Sequence, residues 1–128
     1  MPIFGLFDGN DTKSKFISAT VPSDSTETES FTVPRDSKIK NVEARFYPGQ
    51  QLDLQLQPRI RRADSDAVID LVDYPGDKKV LEGDDDVITL PTNREARKND
   101  EIEVKAENLD TSGNDYDYYL IITMEADQ

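Results

Sequence analysis

Apolar and polar residues alternate with a period of two along most of this chain, the spacing by which a strand sends successive side chains to opposite faces of a sheet. Val42, Ala44 and Phe46 alternate with Glu43, Arg45 and Tyr47 before Pro48 and Gly49 stop the run. Leu52, Leu54 and Leu56 alternate with Asp53, Gln55 and Gln57. Pro58 then predicts an edge strand or a bulge, because proline cannot donate to a ladder. Residues 68–72 read as a further strand, ended by the turn at 74–77. Residues 79–81 and 86–90 read as two short strands joined across 83–85. Ile102, Val104 and Ala106 alternate with acidic and basic neighbours, and residues 118–124 form the most apolar strand.

Two segments break the pattern. Residues 92–98 have helical composition, enough for a turn or two. Residues 1–30 combine an apolar start, a short strand-like stretch at 16–21 and a polar run at 22–30 with the composition of a linker. The expected organisation is therefore an N-terminal arm and linker over 1–30 and a β-sandwich domain over 31–128. Phe4, Leu6 and Phe7 would pack under the chain's own sheet or into a partner. Strands of this length and spacing, with no helix long enough for a βαβ crossover, predict an all-β, antiparallel sandwich. A strand count near eight favours a jelly-roll-like arrangement.

Composition narrows the possible chemistry. The net charge is −12, from 18 Asp and 9 Glu against 8 Lys and 7 Arg. Such a chain repels itself unless salt screens it, so the expected setting is halophilic. Nucleic acid is not an expected partner, because binding it requires basic patches. Histidine and cysteine are both missing, which removes the commonest general base and every thiol nucleophile. No glycine-rich phosphate cradle occurs. The expectation is a binding or structural module and not an enzyme. No stretch approaches the ~18–20 apolar residues of a membrane span, and the start lacks a secretory pattern. Synthesis and folding in the cytoplasm are expected, with no membrane partner.

Three acidic clusters offer oxygen ligands of the kind calcium or magnesium prefers. They are Asp64 and Asp66 with Asp70, the run Asp84, Asp85 and Asp86, and Asn114, Asp115 and Asp117. None matches the twelve-residue calcium loop, and in so Asp-rich a chain such runs are more often solvated loop tips. A sugar-binding alternative would use exposed aromatic rings, for which Tyr47, Tyr74, Tyr116 and Tyr118 are the candidates. Leu56 and Ile60, read as edge residues, join Phe4, Leu6 and Phe7 as candidate interface positions.

The ending carries a resemblance. Residues 101–108, a polar loop, and residues 117–126 are similar to the closing strand pair of viral jelly-roll and capsid-decorating proteins. With its Asp-dominated surface, the chain over 31–127 resembles the small β-sandwich structural proteins of haloarchaeal viruses. That resemblance implies a virion part: a decoration, turret or minor capsid subunit. It would form a ring-like homo-oligomer, a trimer or pentamer, docked on other capsid proteins.

Overall fold

The computed structural model describes residues 12–72 and 79–126. They form nine strands: β1 (Thr12–Val21), β2 (Ser25–Thr32), β3 (Ser37–Phe46), β4 (Leu54–Arg61), β5 (Val68–Asp70), β6 (Leu81–Glu82), β7 (Asp86–Ala96), β8 (Glu101–Asn108) and β9 (Tyr116–Ala126). All pairings are antiparallel. One sheet has the order β1-β9-β3-β7; the other has β2-β8-β4-β5, with β6 also on β4.

The pairs are nested. β1 joins β9, β2 joins β8, β3 joins β7, and β4 joins β5 and β6. The chain is thus one long antiparallel ribbon, rolled so that β3 also meets β9 and β4 also meets β8. That winding, with two sheets and Greek-key connections, is the jelly roll.

Alternation builds the core between the sheets. Val42, Ala44 and Phe46 of β3, Leu54, Leu56 and Ile60 of β4, Ile102, Val104 and Ala106 of β8, and Leu120 and Ile122 of β9 are all fully buried. Each large member contributes about 1.5–3 kcal/mol by leaving water.

Several expectations are corrected here. Residues 92–98 are not helical: β7 continues to Ala96, pairing Arg94 with Ile39 and Glu95 with Lys38. A bulge between Ile39 and Asn41 accommodates this, and the Thr92 hydroxyl donates to the Ile39 carbonyl at 2.6 Å. The division at residue 30 falls inside β2, and β1 and β2 belong to the two sheets, so 12–30 is not a separate arm. The remainder of the proposed arm, with Phe4, Leu6 and Phe7, lies outside the described residues, as does Tyr74.

β4 is not an edge strand, since β8 flanks one side and β5 and β6 the other. Pro58 sits where β5 has ended and β6 has yet to begin. Its carbonyl accepts from the Leu71 N–H on that side, one residue past the end of β5, so the missing N–H falls where that ladder closes. Pro91 is tolerated for the simpler reason that, among the described residues, β7 pairs on one side only.

Both ends of the sandwich are tied by carboxylates that accept backbone N–H groups. At one end Asp100 accepts from Arg62 Nη1 at 2.7 Å, from the Ala63 N–H at 3.0 Å and from the Arg97 N–H at 2.9 Å. At the other, Asp110 accepts from the N–H groups of Ser112 and Asn114 and from the Ser23 hydroxyl. Asp84 accepts from the N–H groups of Gly49 and Gln50 at that same end.

Candidate functional site

The outer faces of the two sheets differ in chemistry. On the β2-β8-β4-β5 sheet, charged and amide side chains satisfy one another. Glu103 receives Arg59 Nε at 2.9 Å and Arg61 Nε at 3.0 Å, Gln57 donates to Asp70, and Gln55 donates to Glu82. The Arg61 bond comes first among the causes that hold the Glu103 carboxyl below its usual range, ahead of the opposing effect of burial and the supporting bond from Arg59.

The β1-β9-β3-β7 sheet presents aromatic, aliphatic and hydroxyl groups instead. Register lines up Ser18, Tyr119, Arg45 and Val87 across the four strands. The next outward row is Phe16, Ile121, Glu43 and Thr89, and the one beyond is Ser14, Thr123, Asn41 and Pro91. Phe16 is 58% exposed and Val87 53% exposed. The Phe16 and Tyr119 rings stack at 5.4 Å between centroids, and Tyr47 meets Tyr119 edge-on at 6.5 Å. The principal cation in this patch is already engaged: the Arg45 guanidinium lies 5.2 Å over the Tyr47 ring and pairs with Asp85 at 3.0 Å. An exposed apolar cluster on a chain with one third of its residues charged makes this face the candidate site.

The sequence candidates distribute as follows. Tyr47 joins the patch, but Tyr116 and Tyr118 point inward at 9% and 2% exposure and cannot stack on a ligand. Burial, reinforced by the charges of Glu29 and Glu27, pushes the Tyr118 hydroxyl up to about 12, and among the described residues its oxygen has no hydrogen-bond partner. Leu56 and Ile60 are wholly buried in the core, so neither can serve as an interface residue of the folded domain.

The acidic candidates are occupied in shaping turns. Asp66 and Asp85 adopt positive φ, a conformation Asp tolerates better than most residues. Asp84 ties the β3–β4 connection, and Asp86 accepts from the Asp84 N–H at 2.8 Å. Asp64 reaches Arg97 at 3.5 Å. Among the described residues no three acidic side chains converge as a metal-holding group.

Phe16, Tyr119 and Val87 are the site residues that sequence reasoning missed. The signal was available in the parity of each strand. Phe16 shares its register with Ser14, Ser18 and Thr20, opposite Ile17, Ala19 and Val21; Tyr119 shares its register with Asp117 and Thr123, opposite Leu120, Ile122 and Met124.

No family model matches the chain, and no curated protein matches it. Among solved structures it is similar to PliG, a periplasmic inhibitor of g-type lysozyme from Salmonella Typhimurium, with 14% identity, a TM-score of 0.39 and 94% of each chain covered. It is also similar to a structure of infectious bursal disease virus, Gx strain, with 12% identity and a TM-score of 0.43 over 96% of this chain and 36% of that one. The jelly-roll assignment rests on the strand order itself: β1-β9-β3-β7 packed on β2-β8-β4-β5, all antiparallel.

Proposed function

We propose that this chain is a non-enzymatic structural module of a halophilic virus particle, a capsid decoration, turret or minor capsid subunit that acts through protein–protein contacts. Jelly rolls occur in viral capsid domains and in lectins, and a fold alone does not choose between them. The observation that carries the reading is the asymmetry of the outer faces. Copies that each bear a net charge of −12 repel through most of their surface, whereas the Phe16, Tyr119 and Val87 face lets them approach with little charge opposed. The partner is a second copy in a small ring of three or five, itself docked on other capsid proteins.

The test is light scattering in molar potassium chloride on the wild type, on Val87→Asp and on Thr28→Asp, which alters an exposed position in β2 of the other sheet. The wild type and Thr28→Asp should run as the same oligomer and Val87→Asp as a folded monomer. A monomeric wild type, or an oligomer indifferent to Val87→Asp, refutes the reading.

A further inference from the structure

At the end of the aromatic face nearest the β3–β4 connection, an open depression of about 290 Å³ is lined by Ser18, Thr20, Tyr47 and Asp117. We infer that this depression is a binding site for a neutral pyranose sugar, separate in chemistry from the protein contact proposed for the rest of the face.

Three features lead to a sugar. The first is a fixed ring: Tyr47 is 39% exposed, yet the Arg45 guanidinium over it and a T-shaped contact with Tyr119 hold it in place. An immobilised aromatic offers a flat apolar surface to the C–H face of a pyranose with little ordering left to do on binding.

The second is an oriented carboxylate beside that ring. Thr20 Oγ1 donates to Asp117 Oδ1 at 2.5 Å, and Gln50 Nε2 donates to the Asp117 carbonyl at 2.6 Å. Asp117 Oδ2 is left to accept from a ligand hydroxyl, and the Ser18 hydroxyl can donate or accept nearby. A ring with a hydrogen-bonding rim suits a ligand that is apolar on one face and hydroxylated at its edge.

The third is charge. A chain of net −12 repels an acidic glycan, and Arg45, the cation over the Tyr47 ring, is held by Asp85. The ligand class is therefore a neutral hexopyranoside. An open site with one ring and few polar groups predicts millimolar affinity, about 4 kcal/mol.

The test is a titration of ¹⁵N-labelled protein in molar potassium chloride with methyl glucoside, methyl mannoside, methyl galactoside and N-acetylglucosamine, read as amide shifts. At least one should give saturable shifts centred on Ser18, Thr20, Tyr47 and Asp117. Tyr47→Ala and the near-isosteric Asp117→Asn should each weaken it at least ~10-fold, with the remaining spectrum unchanged. Saturable shifts with none of the four sugars, shifts centred elsewhere, or full affinity in either variant would overturn the inference. Val87→Asp should bind sugar as the wild type does while losing self-association, so this proposal and the proposed protein contact fail independently.

Discussion

Aspartate does much of the local work in this protein. Asp100 is 2% exposed and gathers one guanidinium and two backbone N–H groups from separate connections. Burial alone would raise its pKa. The Ala63 and Arg97 N–H groups and Arg62 outweigh that, and its carboxyl lies below the ordinary range. The folded-state value is thus lower than the unfolded one, so Asp100 stabilises the fold fully above the unfolded carboxylate value of about 3.9, and its contribution disappears as pH falls below that toward the folded value. Urea unfolding should show Asp100→Ala less stable than the wild type by about 1–3 kcal/mol at neutral pH, because three donors lose their acceptor. The gap between the two should narrow in acid. An equal gap at all pH values would show that the carboxylate charge does not matter there.

At the scale of elements, the two-residue period made strands legible, but it failed wherever a strand has no apolar face. Residues 25–30 look like a linker because β2 is an edge strand. Glu27 and Glu29 share its inward register with Phe31 yet stay exposed, since the sandwich is open along β1 and β2. Lys15 on the facing edge sits 5.4 Å over the Phe31 ring. Inward charges of this kind are a known way to keep edge strands from pairing with foreign ones. The end of β7 was misread for a related reason: its exposed residues, Arg94 and Glu95, suit a helix as well as an edge strand. Strand order was not legible at all, because nesting is set by pairings far apart in sequence, and this is why Leu56 read as an edge residue.

Its true position sets a prediction. Leu56 is wholly buried, between β6 and β8, so Leu56→Ala should cost about 2–5 kcal/mol. Chemical denaturation measures this directly, and a loss below about 1 kcal/mol would mean that β4 does not occupy the centre of its sheet.

The whole molecule presents two unlike surfaces on one scaffold. Nesting of the ribbon puts β9, the most apolar strand, between β1 and β3, and its second register carries Tyr119 and Ile121 to the outside. The same winding gathers the β1–β2, β3–β4, β6–β7 and β8–β9 connections at one end, where Asp84 and Asp110 fasten them. A turn-stapled body with a sparsely charged aromatic face is what the proposed contact between like-charged copies requires. Alternation alone exposed half of this: it separated inward from outward positions within each strand, but only the strand order shows that Phe16, Tyr119, Arg45 and Val87 meet.

Hydroxyl-radical footprinting of the chain in molar salt, compared between dilute and concentrated samples, tests the contact face most directly. Phe16 and Tyr119 should become protected on concentration while Lys105 and the Arg59 strand on the opposite sheet keep their reactivity. Protection confined to that opposite sheet, or no protection anywhere, would contradict the account.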